Sequence, residues 1–338
     1  MKNLKAVDLF AGIGGVRLGL EKAGFEVSYS NDCDRFCKIT FENYFKEPLD
    51  TRKIEDVPFD EIPDDIDLLA AGFPCQPFSL AGLKKGFDDP RGSLFQKVAE
   101  IIDNKQPRAF LLENVKHLKR HDGGKTLEHI LSVLRKELKY YVPDPMVLNS
   151  KDFGVPQNRE RIYIVGFREK TDFEYPKGNV EQPKLASILE EGIDDEFYFL
   201  SQKYLDCLIR HKKRHKKRGN GFGLEILDPE GISNTLVVGN MGRERNLIKD
   251  ISSKIAFSKN NAGVRKLTIR ECTRLQGLPK DFEFPVSRTQ AYKQLGNSVS
   301  VPVIKAIGKQ ILKALTKEKN IKVGSEIMMD VARIPLVS

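Results

Sequence analysis

Residues 1–170 alternate short apolar runs with amphipathic segments, and this alternation constrains the fold more than any other feature. "KAVDLF" is an apolar run that ends on an acid and then glycines, and Val16, Leu20 and Ala23 follow at helical spacing. "EVSYSND" and "IDLLAAGF" read as strands. Leu94, Val98, Ile101 and Ile102 share one helical face, and the strand-like "RAFLLENV" follows. Leu127, Ile130, Leu131, Leu134 and Leu138 form a second apolar stripe, and "RIYIVGF" reads as one more strand. A βαβαβ order predicts an α/β fold with a mainly parallel sheet covered by helices.

The pattern breaks after Arg168. Prolines and mixed polar segments lead to "HKKRHKKRGNGFG", the only charge run of note, and then to "NTLVVGNMGRERN" and "VRKLTIRECTRLQGLP". This stretch predicts a second, smaller and more irregular domain. Ile304, Ile307, Ile311 and Leu315 then mark an amphipathic helix, and the last twenty or so residues show no period and read as a tail.

A chain of 338 residues is long enough for two domains with buried cores. Its net charge of +9 points to a polyanionic partner, nucleic acid first, although charge alone also fits a merely basic soluble protein. Five scattered cysteines make no disulfide framework, and Cys33 and Cys37 lack the second ligand pair a zinc site needs, so no metal is expected. No apolar run reaches the roughly 18 residues of a membrane span. Asp8 interrupts the short apolar segment near the start, which excludes a signal peptide and predicts a cytoplasmic protein.

Four short motifs carry chemistry. "DLFAGIGG" follows a strand and opens a helix; Gly12, Gly14 and Gly15 permit a tight turn and close ligand approach, and free helix-start N–H groups favour an anion. Asp32, about 20 residues on, stands where a ribose hydroxyl would be held. Packing alone also explains such a turn, Asp8 could be a strand-end cap, and Asp32 an ordinary surface acid. "GFPCQPFS" puts Cys75 at the carboxyl end of a strand, between stiffening prolines, as a nucleophile or as a small buried thiol. "FLLENV" puts Glu113 and Asn114 on the same rim, where desolvation would raise a carboxyl pKa and water would not. "QNRERIY" places Arg159 and Arg161 on one face, for an anion or for sheet-edge acids.

Taken in order, "DLFAGIGG", "GFPCQPFS", "LLENV", "QNRERIYIVGF", "RKLTIRECTRLQGLP" and "AYKQLGNSVSVPV" closely resemble the DNA (cytosine-5)-methyltransferase family. The compact bacterial enzymes of restriction–modification systems are the most similar members. The motifs cover about residues 5–310.

The resemblance implies a Rossmann-like S-adenosylmethionine-dependent methyltransferase fold plus a target-recognition domain. The boundaries it implies are 1–175 for the catalytic and cofactor domain, completed by 288–320, with 176–287 for recognition and 321–338 as a tail. Phe10, Gly12, Ile13 and Gly15 match the turn around the methionine part of the cofactor, and Asp32 the acid on its ribose. Asp50 matches the acid near the adenine amino group, in loosely aligned surroundings. Pro74, Leu94, Asn297 and Val299 match further pocket positions. Cys75 matches the nucleophile that adds to C6 of a flipped-out cytosine, Glu113 the acid at N3 and the amino group, Arg161 the arginine near O2, and Arg159 its supporting partner. No residue is identified as the base that takes the C5 proton.

For DNA, Lys84, Lys85 and Arg91 fall in the segment matching the family's catalytic loop, Thr235 in its "TL" element, and Arg243 and Arg245 are the candidate base readers, with salt bridges to nearby acids as the alternative. The implied partner is double-stranded DNA, with a cognate restriction endonuclease acting on the same site without a stable complex. The implied state is a monomer in the nucleoid. Cys33 stands where many relatives carry a large side chain stacking on adenine, and the chain has no tryptophan. The rival readings are an RNA cytosine-5 methyltransferase, a non-catalytic DNA-binding regulator, and an NAD-dependent dehydrogenase read from the glycine turn alone.

Overall fold

The computed structural model describes residues 4–73, 94–178, 180–221, 223–239, 244–253 and 255–331, with side chains described up to Lys317. Its centre is a six-stranded sheet made of β1 (Leu4–Leu9), β2 (Phe25–Asn31), β3 (Leu68–Ala71), β4 (Ala109–Val115), β5 (Met146–Asn149) and β7 (Glu160–Phe167). The strand order is β2-β1-β3-β4-β7-β5. Strands β2, β1, β3 and β4 run parallel, as the alternation predicts, connected through α1 (Gly15–Glu21), α2 (Arg35–Phe45) and α3 (Leu94–Lys105).

Strand β7 departs from the parallel expectation. It pairs antiparallel with both β4 and β5. The reason is chain length: a parallel crossover needs roughly a dozen or more residues, and only residues 150–159 separate β5 from β7. Those residues include the short β6 (Gln157–Asn158), whereas the longer link from β4 to β5 carries α4 (Lys125–Ser132).

Both sheet faces are covered, so β3 at the centre is buried along its whole length. On one face Val7, Leu9, Leu69, Phe110 and Leu112 pack with Val98, Ile101, Ile102, Ile130 and Leu134. On the other, Ala6, Leu68, Ala70, Leu111 and Val165 meet Val16 and Leu20 of α1 and Ile304, Ile307 and Ile311 of the last helix. Each such aliphatic side chain contributes about 1.5–3 kcal/mol by leaving water.

The chain end thus returns to the first domain. After α8 (Arg288–Asn297), helix α9 (Val301–Val331) lies against α1. Gly19 makes that approach possible, because a Cβ there would stand 2.5 Å from Cβ of Ile304. Helix α9 continues to Val331, into the stretch read from the sequence as a tail without period.

The segment between is built differently. It holds α5 (Gln202–Lys217), β8 (Ser233–Asn234), β9 (Leu247–Lys249), α6 (Ala256–Lys259), β10 (Val264–Lys266) and α7 (Ile269–Leu275). Strands β9 and β10 form an antiparallel pair, and β8 pairs with β6 beside the large sheet. A buried guanidinium ties this part together: Arg265 donates to both carboxylate oxygens of Glu271 and to Asp250. Among the described residues no helix is long and apolar enough to cross a membrane.

Candidate active site and cofactor pocket

The strand register aligns the carboxyl ends of the parallel strands. Leu9 pairs with Asn31 and with Ala71, and Ala71 with Leu112, so Phe10, Asp32, Gly72 and Glu113 follow along one edge of the sheet. A cavity of about 650 Å³ opens there, where open α/β sheets bind their ligands.

The glycine turn forms one wall. Phe10, Gly12 and Gly14 all adopt left-handed backbone, with φ of 58°, 57° and 84°. Gly14 is forced by packing, since a Cβ there would stand 2.2 Å from the Phe45 ring. Gly12 is different. A Cβ on it would meet nothing within 4 Å, so its bare backbone faces open cavity. Its N–H donates to Oδ2 of Asp32 at 2.8 Å, and the N–H of Asp34 donates to Oδ1 at 2.8 Å. Burial pushes the Asp32 carboxyl above its ordinary range, and these amide bonds pull it back.

Beneath the turn lies Asp8, one of the roles left open by the sequence. It is fully buried, and Oδ2 accepts from the Arg17 N–H in the first turn of α1. From β1 it therefore satisfies one free N–H of that helix, whose N-cap residue is Gly14. Burial pushes its pKa up to about 8, so it largely retains its proton at neutral pH.

The returning chain end supplies the facing wall: Gly296, Asn297, Ser298 and Val299 line the cavity together with Ile13, Gly15 and Leu94. Gly15 is where the two walls touch, since a Cβ there would come within 2.8 Å of Ser298 Oγ. Cys33 also lines the cavity and is exposed, and burial of its thiol pushes its pKa upward, with Asp32 adding to the rise. Asp50 is not part of this lining. Its carboxylate accepts from Tyr29 Oη at 2.8 Å and from Arg52, whose guanidinium holds it at about 2. From that segment the lining residues are Lys53, Ile54 and Glu55.

The deep end of the cavity gathers the charged groups. Glu113 and Arg161 stand 3.2 Å apart, Oε1 to Nε, on the paired strands β4 and β7. Burial raises the Glu113 pKa, and Arg161 and then Arg159 oppose the rise. Arg159 is buried and shares the cavity with Arg161, as their alternation predicts. It donates to the carbonyls of Leu236, Gly296 and Ser298, so it joins the β6–β7 link to the segment after β8 and to the cavity wall at the end of α8. Among the described residues its Nε has no partner, and burial disfavours its charge, lowering its pKa to about 9.

Asn114 donates from Nδ2 to the Phe73 carbonyl at 3.0 Å, and Glu113 Oε2 lies over Gly72. The strand that leads to "PCQPFS" is thereby fixed to the Glu113 rim. Pro74 and Cys75 lie outside the described residues, as do Lys84, Lys85, Arg91 and Arg243. Thr235 donates to the Asn158 carbonyl at 2.5 Å, beside the Arg159 strand. Arg245 is exposed, 3.8 Å from Glu225, and its carbonyl accepts from Asn234.

Gly296 went unread in the sequence. A Cβ there would stand 2.8 Å from the backbone of Val237 and Val238, so only glycine lets the segment after β8 cross this wall of the cavity. The quoted "LGNSV" contains it, but no sequence signal names the segment it touches. Among the described residues no cluster of His, Cys, Asp or Glu could hold a metal.

Known proteins agree with this architecture. The family model for C-5 cytosine-specific DNA methylase matches residues 4–313. The Type II methyltransferase M.HpaII of Haemophilus parainfluenzae is 49% identical over 91% of this chain and 89% of its own length. M.NlaX of Neisseria lactamica is 43% identical over 94% and 99%. In fold, the chain is similar to a Spodoptera frugiperda DNMT2 mutant, with TM-score 0.72 at 23% identity over 92% of this chain and 100% of that one. It is also similar to Entamoeba histolytica methyltransferase EhMeth, with TM-score 0.70 at 19% identity over 93% and 99%. The chain belongs to the C-5 cytosine-specific DNA methylase family.

Proposed function

We propose that Cys75, Glu113 and Arg161 carry out the transfer, on a cytosine turned out of the duplex into the deep end of the cavity. Family membership makes the chain a DNA cytosine-5 methyltransferase with S-adenosylmethionine as methyl donor. The observation that supports the residue assignment is the Glu113–Arg161 pair beside the Asn114–Phe73 bond, two residues before Cys75.

The cofactor, when bound, supplies a methyl group on a sulfonium, open to attack by a carbon nucleophile. The chain's residues fit it. Gly12 presents open backbone, Asp32 lines the same cavity and would hold the ribose, and Asn297 and Val299 line it with Phe10, Ile13, Gly15 and Leu94. Pro74, next to Cys75 in sequence, would add to it. Asp50, through Tyr29 and Arg52, orders the segment that brings Lys53, Ile54 and Glu55 to the wall.

In the reaction the Cys75 thiolate forms an S–C6 bond, and the C5=C6 electron pair moves to C5. Glu113 holds a proton at N3, which neutralises the ring as that density builds. Arg161 keeps Glu113 in place and faces O2. C5 would take the methyl group as the sulfonium–methyl bond breaks and leaves its electron pair on sulfur; the C5 proton then leaves to a base, its bonding pair re-forms C5=C6, and the S–C6 bond breaks to return the Cys75 thiolate. Arg159 positions rather than reacts.

Residues 1–175 and 288–320 form the catalytic domain in this reading, and 176–287 the recognition domain, with Thr235, Arg243 and Arg245 on the DNA and Lys84, Lys85 and Arg91 on its phosphates. The Type II names of the relatives support a modification enzyme; in this reading it protects the site of a cognate restriction endonuclease without a stable complex and acts as a cytoplasmic monomer on the nucleoid. Expression in cells lacking cytosine methylation, followed by bisulfite sequencing, tests the function: full protection of one cytosine in one short motif is expected. No protection from soluble protein that binds S-adenosylmethionine contradicts it.

A further inference from the structure

The chain's positive charge is concentrated in one place. Residues 210–218 contain seven lysines and arginines and no acid, and without them the net charge of +9 would be +2. They form the last turns of α5 and its cap. Seven like charges on two turns repel one another, which costs helix stability unless something of opposite sign meets them.

The structure shows how they are presented. Leu205 and Leu208 are buried in a small core with Leu200, Leu224, Leu247 and Val264, and His211 and His215 continue that inner face as a stacked pair 4.3 Å apart. Arg210, Lys213, Arg214 and Lys217 fall at helical spacing on the opposite face, all exposed. Among the described residues none of the four forms an ion pair. Some exposed cations elsewhere do find acids, as in Lys116–Glu160, Lys184–Glu230 and Arg288–Asp195. The row is about 10 Å long at 1.5 Å per residue, against one phosphate per about 3.4 Å of each strand of a duplex.

The helix is also fixed to the recognition side of the cleft. Lys212 abuts Gly223, where a Cβ would come within 2.7 Å of it. Two residues on, Glu225 accepts from Asn234, and Asn234 lies on β8, paired with β6 next to Arg159. The basic row therefore moves with the segment bearing Thr235 and Arg245, yet is not part of the cavity lining.

We propose that Arg210, Lys213, Arg214 and Lys217 form a phosphate-tracking surface that grips duplex DNA outside the recognised sequence and supplies most of the salt-sensitive affinity. It rests on the reading of the chain as a DNA methyltransferase. The surface holds the enzyme on any duplex while the cleft finds its site, and it reads no bases.

The test is a variant with all four residues changed to Gln, which leaves the inner face and the catalytic machinery untouched. Binding is measured by fluorescence anisotropy across a series of KCl concentrations. The probes are a 40-bp duplex carrying the motif protected in bisulfite sequencing and a scrambled duplex. Wild-type protein that methylates the first duplex establishes the underlying reading separately. The slope of log K against log salt should then fall by about three to four in the variant, near 0.9 per lost phosphate contact. Affinity should drop by the same factor on both duplexes, with the transfer rate at saturating DNA unchanged. An unchanged slope, or a loss confined to the cognate duplex, overturns the proposal.

Discussion

Arg161 Nε stands 3.2 Å from Oε1 of Glu113, with both side chains nearly shielded from water. The pair sets opposite tendencies against each other. Burial favours the neutral acid, and the guanidinium favours the carboxylate; burial is the larger effect, so the pKa rises. A raised pKa keeps the proton to higher pH than a free glutamate would. Glu113→Gln should lower kcat by about 10²–10⁴-fold with S-adenosylmethionine affinity unchanged. In the wild type, transfer that depends on the protonated acid should fall as pH rises through the raised pKa. The variant should lack that limb, and a pH–rate profile of the two proteins checks this.

Asp8 carries a second pH dependence, this time in stability. Its carboxyl titrates near 3.8 when unfolded and near 8 in the fold. Between those values the folded state holds the extra proton, so stability is full at low pH and declines as pH rises toward 8. The shift corresponds to a loss on the order of 6 kcal/mol at about 1.4 kcal/mol per pKa unit. Asp8→Asn keeps an acceptor for the Arg17 N–H and removes the titration. Melting temperatures from pH 5 to pH 9 should slope down in the wild type and flatten in the variant; parallel slopes would contradict the assignment.

Gly12 and Gly14 separate cofactor binding from folding. Both have left-handed backbone, which costs an alanine about 1–2 kcal/mol. Only at Gly14 would the added methyl strike the protein, at Phe45. Gly14→Ala should lower the melting temperature markedly. Gly12→Ala should melt near the wild type yet bind S-adenosylmethionine at least tenfold more weakly by titration calorimetry.

Arg265 is the electrostatic keystone of the recognition side. It is wholly buried and serves both Glu271 and Asp250. Arg265→Met strands two carboxylates in a dry interior, so denaturant unfolding should show a loss of about 3–5 kcal/mol. A loss below 1 kcal/mol would mean that solvent reaches those acids.

The sheet was legible because its signals are local. Val7, Leu9, Leu69 and Leu112 announce buried strands through apolar runs, and Val98, Ile101 and Ile102 announce a helix through period. The antiparallel turn of β7 was not announced by period, because direction depends on the length of the link from β5. The alternation of Arg159 and Arg161 placed both in the cavity, and the glycine turn and Asp32 meet as their spacing suggested. What stayed hidden depends on contacts between distant segments. Nothing near Gly296 in sequence predicts that Val237 crosses it, and nothing near Asp50 predicts that Tyr29 reaches its carboxylate.

The central claim is that Cys75 is the nucleophile. DNA carrying 5-fluorocytosine tests it most directly, because fluorine at C5 cannot leave as a proton does and the S–C6 bond stays formed after transfer. With S-adenosylmethionine present, the wild type should give an adduct that survives denaturing electrophoresis and maps by mass spectrometry to Cys75, and Cys75→Ala should bind the same DNA without one. An adduct on another cysteine, or methyl transfer by Cys75→Ala, would contradict the account.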